Sequence, residues 1–274
     1  MLTKLEVRNA AGTLLTLPLQ DVSDGYSLKD VTGLDPVKAT IVSSSYAGID
    51  GTQYQSSRRD ARNLVLKIGF TPDWVSNSPK TLRTNLYQWF MTKQYVELRF
   101  YEDDGLVVSI VGRVETNASP RFTSDPDATI SILCFLPDFI GMTNELVSSN
   151  SVPDTTESSI NYVGTSETGF LLTANVNRTI SGFSLYQRGI DGVQNELDFA
   201  YSMLAGDVIQ ISTVPGNKYA NLIRAGVTTS ALWGVSPYSP WLTLTPGLNQ
   251  MRLLIAGTPP IPYTIAYTDK YGGL

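Results

Sequence analysis

From Leu64 to Phe70 the chain alternates, with Leu64, Leu66, Ile68 and Phe70 on one parity and Val65, Lys67 and Gly69 on the other. An extended strand sends successive side chains to opposite faces, so this period of two predicts a strand with one face buried. The pattern recurs where Val96, Leu98 and Phe100 alternate with Glu97, Arg99 and Tyr101. There Asp104-Gly105 supplies a tight turn, and residues 106–111 return as the second arm of a hairpin. Leu5 and Val7 face Leu15, Leu17 and Leu19 across the turn Asn9-Ala10-Ala11-Gly12, which predicts an opening hairpin. A short strand is expected at 38–42, and Ile130-Ser131-Ile132-Leu133-Cys134-Phe135 reads as a buried one.

One segment departs from this rhythm. Ser78 stands where an N-cap is needed and Pro79 follows at the first helical position, where its missing N–H costs nothing. Leu82, Leu86, Trp89 and Phe90 then recur at helical spacing, a stripe suited to packing on a core.

The second half has no such helix. Short apolar runs at 170–174, 180–186, 198–203, 207–212, 221–223, 241–244, 250–255 and 263–267 are separated by turn residues at the spacing of a β-sandwich. Pro137-Asp138-Phe139-Ile140-Gly141 closes the first half, and the polar stretch from Ser148 to Thr156 reads as an exposed connection. With 274 residues, two domains are expected, 1–143 and 144–274. The fold class is mainly β (β-rich α+β): a small β-barrel or sheet domain with one packed helix, then a β-sandwich.

Charge and rare residues narrow the function. The net charge is −5, and neither half is basic, with 14 Lys and Arg against 17 Asp and Glu up to residue 150 and 6 against 8 after it. A surface that grips phosphate backbones is not indicated. Histidine is absent, so Ser-His and Cys-His catalysis and His-ligated zinc are excluded. The single cysteine, Cys134, permits neither an internal disulfide nor a CxxC knuckle, and reads as a small core residue. No run approaches the roughly 18 apolar residues of a membrane span, and the start lacks the apolar core of a signal peptide, so a soluble, unprocessed chain is expected. The sequons Asn117-Ala118-Ser119 and Asn177-Arg178-Thr179 carry little meaning in that setting.

Carboxylates are what remains for chemistry. Glu102-Asp103-Asp104 sits at a hairpin tip and reads as a solvated turn without calcium-loop spacing. Asp191, Glu196 and Asp198 lie on neighbouring segments, as a glycosidase pair would require, but Asp191-Gly192 is itself a turn signal. No phosphate loop or dinucleotide fingerprint is present, so no enzyme, cofactor or metal site is expected. Arg58, Arg59 and Arg62 form a basic loop able to pair with carboxylates of a neighbouring subunit. Late aromatics, Tyr219, Trp233, Tyr238 and Trp241, are candidates for a glycan or partner contact.

Two groups of motifs carry a family likeness. Gly33-Leu34-Asp35-Pro36, Gly48-Ile49-Asp50-Gly51 and Ser57-Arg58-Arg59-Asp60-Ala61-Arg62-Asn63 resemble the N-terminal ring domain of the distal tail (Dit-like) proteins of long-tailed bacteriophages. Gly206-Asp207-Val208-Ile209-Gln210-Ile211, Leu244-Thr245-Pro246-Gly247-Leu248-Asn249, and Ile265-Ala266-Tyr267 before Tyr271-Gly272 are similar to the galectin-like C-terminal sandwich of that family. The resemblance implies a structural virion protein, made in the bacterial host cytoplasm and placed at the tail tip. It implies a homohexameric ring acting as baseplate hub, with the tail tube protein, a tail-tip hub or tail-associated protein, and a receptor-binding protein or fibre as partners. DNA would pass through the ring without being bound, and no membrane insertion is implied. The extended loop from Ser43 to Asn63 is the candidate for one ring-closing patch. The alternative is a carbohydrate-binding β-sandwich protein that contacts host-surface glycans.

Overall fold

The computed structural model describes residues 1–19, 21–48, 50–73, 77–120, 126–152 and 157–274. The turn read at 48–51 and the connection read at 148–156 therefore lie partly outside the described residues, at Ile49 and at 153–156. The protein is mainly β, with one α-helix and antiparallel ladders among the described residues. It divides into two compact units, Met1–Met142 with Tyr271–Leu274, and Thr143–Lys270.

The first unit contains β1 (Leu2–Asn9), β2 (Leu14–Pro18), β3 (Tyr26–Thr32), β4 (Ala39–Ser44), β5 (Gln53–Arg59), β6 (Arg62–Phe70), α1 (Pro79–Phe90), β7 (Tyr95–Glu102), β8 (Val107–Ala118), β9 (Asp127–Cys134) and the start of β10 (Phe139–Asn150). Its main sheet runs β2-β1-β7-β8-β9-β6-β3, and a lone bridge between Leu19 and Leu28 brings its two ends together. A sheet whose ends meet leaves little open edge. The opening hairpin pairs Leu5 with Leu17 and Val7 with Leu15, and all four are buried. In β6 the odd-even pattern holds, with Leu64, Leu66 and Ile68 fully buried.

The helix starts where its caps dictate. Ser78 Oγ accepts from the Thr81 N–H at 3.2 Å, and Leu82, Leu86 and Phe90 turn into the sheet's core. Tyr26 donates its buried hydroxyl to the Leu82 carbonyl at 2.7 Å, tying the helix to β3. Cys134 ends β9 fully buried, and loss of water pushes its thiol up to about 11, the state of an unreactive core residue. Phe135, read as part of that strand, lies beyond it and is exposed.

Two further expectations are corrected here. The segment 43–63 is not a loop, since β4 and β5 form a hairpin of their own and only Asp60 and Ala61 separate β5 from β6. Every residue of β5 is exposed, so neither face meets the core and the alternation that marks a half-buried strand is missing. Residues 148–150 are the end of β10 rather than part of a connection, and Ser149 Oγ meets Ser158 Oγ at 2.6 Å.

The second unit takes the rest of β10, then β11 (Ser158–Tyr162), β12 (Phe170–Asn175), β13 (Ile180–Arg188), β14 (Gln194–Met203), β15 (Val208–Ser212), β16 (Tyr219–Arg224), β17 (Val227–Ser230), β18 (Gly247–Leu254) and β19 (Pro262–Tyr271). One ladder runs β17-β16-β15-β12-β19, and a separate sheet runs β11-β18-β13-β14. Leu172 pairs with Ile211 and Ile265 in the first, Leu185 with Leu197 and Leu253 in the second, and all enter one core. The segment 241–244 is no strand. Leu242 and Leu244 are buried in alternation, but only Leu244 makes a bridge, to Thr168.

Asp207 organises the turn before β15. Its carboxylate accepts from Arg224 Nε at 2.9 Å and Nη2 at 2.6 Å, and from the Leu204 N–H at 2.7 Å. The Arg224 guanidinium holds this carboxyl below the usual carboxylate range. A folded-state pKa below the unfolded one gives a stabilisation that is full above the unfolded value and is lost as pH falls through the folded one. Amides of β15 and β16 are thus expected to lose hydrogen-exchange protection on acidification below about pH 4. The loss should be steeper in the wild type than in Asp207→Asn, and equal slopes would remove Asp207 as the cause.

Candidate functional site

In the first unit the three arginines separate into three roles. Arg58 is exposed on β5. Arg59 is held by Asp138, with Nη2 to Oδ2 at 2.8 Å and a second bond from Nη1 to Oδ1, so its fork is already engaged within the chain. Arg62 is 1% exposed, which corrects its place in a surface loop. Its side chain donates to the carbonyls of Pro137 at 2.7 Å, Asp35 at 2.7 Å and Leu34 at 3.1 Å, and also to those of Gly33 and Gly272. The guanidinium lies 4.4 Å from the centre of the Phe139 ring, and burial lowers its pKa. Five main-chain oxygens replace the water that a buried cation loses.

Gly33 shows why its loop has the sequence it has. It sits at φ +92°, and a Cβ there would come within 2.1 Å of the Asn63 carbonyl oxygen. Only glycine lets this loop approach β6 closely enough to meet Arg62. The last four residues reach the same place, with Tyr271 and Leu274 against the core and the Leu274 N–H on the Leu34 carbonyl at 3.1 Å.

Beside this clamp the surface is apolar. β8 pairs with β10 at Val108 and Ser109 and with β9 from Arg113 onward, so residues 110–112 lie in a gap between two neighbours. The gap is a groove of 250 Å³ lined by Tyr95, Val111, Phe135, Leu136 and Ile140, with Arg113 and Asp138 among its polar members. Leu136 is 73% exposed. This surface was not read from the sequence, although Phe135-Leu136 before Pro137 places two large apolar side chains at a strand end, outside any alternation.

In the second unit the four candidate aromatics differ in exposure and surroundings. Trp233 is 74% exposed and leans on Tyr201, ring centres 4.7 Å apart, continuing a line of rings through Phe199 and Phe183. Tyr238 is 96% exposed. Tyr219 is half-buried on β16, and Trp241 is partly buried on the core with Lys218 Nζ 5.5 Å from its ring centre. Trp241 also borders a cleft of 240 Å³ whose walls include Glu167, Gln187, Asp191, Asn195 and Thr245.

The carboxylates considered for chemistry serve local structure. Asp104 accepts from the Leu106 N–H at 2.9 Å and Asp191 from the Val193 N–H at 3.0 Å, each closing its turn. Glu196 bonds Tyr186, and Asp198 accepts from the Ser184 hydroxyl. Among the described residues no group of three or more His, Cys, Asp and Glu side chains is gathered as a metal ion would need.

No protein-family model matches the chain, and no curated protein matches it in sequence. Among solved structures it is similar to the Dit protein of phage SPP1, described as a paradigm of the hub adsorption apparatus in phages that infect Gram-positive bacteria. That likeness has a TM-score of 0.67 at 16% identity, and covers 97% of this chain and 98% of the other. Two structures of the phage P2 baseplate in its activated conformation, one with calcium and one with strontium, align at a TM-score of 0.48 and 10% identity. They cover 97% and 96% of this chain and 98% and 97% of theirs. The likeness to SPP1 Dit establishes the fold, shared along nearly the whole of both chains.

Proposed function

We propose that this chain, which has the fold of SPP1 Dit, is a structural virion protein: a distal tail protein at the phage tail tip that forms a homohexameric ring and joins the tail tube to the host-recognition apparatus. The observation that carries this reading is the coverage of the likeness, which takes in 97% of this chain and so both of its units rather than one common domain. On this reading the first unit builds the ring. The second is a galectin-like sandwich that meets tail-tip proteins and a receptor-binding protein or fibre.

Physical chemistry supports the assignment. A ring above twofold needs two different, complementary patches on each subunit. The first unit carries both an exposed hairpin and an apolar groove. A net charge of −5 avoids the counterion-release attraction that would make DNA adhere during passage. The work is mechanical rather than catalytic, in keeping with carboxylates committed to turns and strand faces. Negative-stain electron microscopy with native mass measurement tests the reading. Sixfold rings are the expected result, and a monomer at every concentration reached would sink it.

The cleft at Trp241 favours a second reading, in which the second unit also touches host-surface glycan. An indole beside amide and carboxylate groups, with no cation among the lining residues, has the makings of a neutral sugar site. Trp241→Ala should then reduce retention on host cell-wall glycan at least about tenfold, while Trp233→Ala, which lies elsewhere, leaves it unchanged. Equal retention by both variants and the wild type would remove glycan binding at this cleft.

A further inference from the structure

We infer that one face of α1 binds a phosphate group, free or carried on an ester, in a cavity lined by Lys80, Arg83, Thr84 and Tyr87.

The spacing of these four residues is that of a single helical face. Positions i, i+3, i+4 and i+7 lie in a row along an α-helix, and here the row bounds a cavity of 310 Å³. Leu82, Leu86 and Phe90 point another way, into the core, so the row is free of packing duty.

Its charge is one-sided. Between Asp73 and Glu97 the sequence has no acidic residue and three cations, Lys80, Arg83 and Lys93, in a chain whose net charge is −5. Among the described residues neither Lys80 nor Arg83 makes an ion pair. Arg83 spends Nη2 on the Pro120 carbonyl at 3.0 Å, which fixes where its guanidinium lies, while its Nε is shut off from water and has no acceptor. A charged donor held in that state is unfavourable, and an anion bound beside it offsets the cost.

The donor set selects the anion. Thr84 Oγ1 gives its proton to the Lys80 carbonyl at 3.0 Å, so towards a ligand it can only accept, as from the hydroxyl of an ester's alcohol. Lys80, Arg83 and Tyr87 are left to donate. Phosphate brings up to two negative charges and three strongly accepting oxygens to two cations and three donor side chains. A carboxylate brings one charge and two oxygens, and leaves one cation and one donor unmet.

Calorimetric titration of the full-length protein at constant ionic strength tests the site, with inorganic phosphate, glycerol 3-phosphate and acetate as probes. Saturable phosphate binding, with acetate much weaker, is the expected result. Lys80→Gln alters an exposed side chain, so that variant should fold, and it should weaken phosphate binding about tenfold or more. Arg83→Gln should weaken it as much, and Tyr87→Phe, which keeps the ring and loses only the hydroxyl, about fivefold. Tighter binding of glycerol 3-phosphate than of inorganic phosphate would support the site with an ester as its ligand, and the reverse order would support it with the free ion. No saturable binding of either phosphate probe, acetate bound as tightly as phosphate, or affinities unchanged in both Lys80→Gln and Arg83→Gln would overturn the site. Ring formation, read by microscopy and native mass, stands or falls separately.

Discussion

Arg62→Met is expected to destabilise the first unit by about 3–5 kcal/mol, the largest effect of any single side chain outside the apolar core. Methionine fills much of the space but donates nothing, so the carbonyls of Gly33, Asp35, Pro137 and Gly272 lose this donor and that of Leu34 keeps only the Leu274 N–H, at a site where the side chain being replaced is 1% exposed. Replacing a buried ion pair by apolar residues is often harmless because both partners go. Here the acceptors belong to the backbone and stay. Arg62→Lys should recover only part of the loss, since three donors on one nitrogen cannot span positions that a planar fork reaches together. Hydrogen exchange followed by mass spectrometry gives the readout. Amides of β6 and of 271–274 should lose protection, and those of β13 and β18 should not. Unchanged protection at Leu274, whose N–H rests on the Leu34 carbonyl, would show that the clamp contributes nothing.

Asn249→Ala is the counterpart in the second unit, with an expected cost of about 2–4 kcal/mol. The Asn249 side chain is fully buried and uses both ends. Its oxygen accepts from the Thr245 N–H at 3.0 Å and from Gln187 Nε2 at 3.1 Å, and its nitrogen donates to the carbonyls of Thr245 at 2.7 Å and Gly247 at 3.0 Å. Alanine would leave the Pro246-Gly247 turn open and the buried Gln187 amide without this partner. Urea unfolding followed by tryptophan fluorescence should show a lower midpoint with an unchanged slope, the mark of a changed stability rather than a changed unfolded state. An unaltered midpoint would refute the role.

The sequence disclosed the elements whose burial is one-sided. Leu64 to Phe70, Val96 to Tyr101 and the opening hairpin alternate because one face meets the core, and Ser78-Pro79 announces its helix through local backbone chemistry. β5 stayed hidden because no face of it is buried, and 241–244 misled because its side chains alternate while its backbone finds a single partner. Arg62 misled for a different reason. Charge normally predicts exposure, and what reverses that rule is a set of carbonyls drawn from positions near 35, 137 and 272, which no local window contains. The groove escaped for a similar cause, since it exists only where β8 changes neighbours. The motif from Leu244 to Asn249, by contrast, was legible as a turn, and the structure supplies its reason in the Asn249 side chain.

The return of Tyr271–Leu274 to the first unit orders events during synthesis. Residues up to Met142 leave the ribosome well before Gly272, with the entire second unit made in between. At roughly 5–20 residues per second that interval is on the order of ten seconds. Throughout it the Arg62 guanidinium lacks one of its acceptors, and the seat of Tyr271 and Leu274 stands open to chaperones and to other nascent chains. A subunit of this design is completed only when translation has passed its second unit, so any premature stop before 271 yields a first unit that has every strand of its main sheet but not its latch.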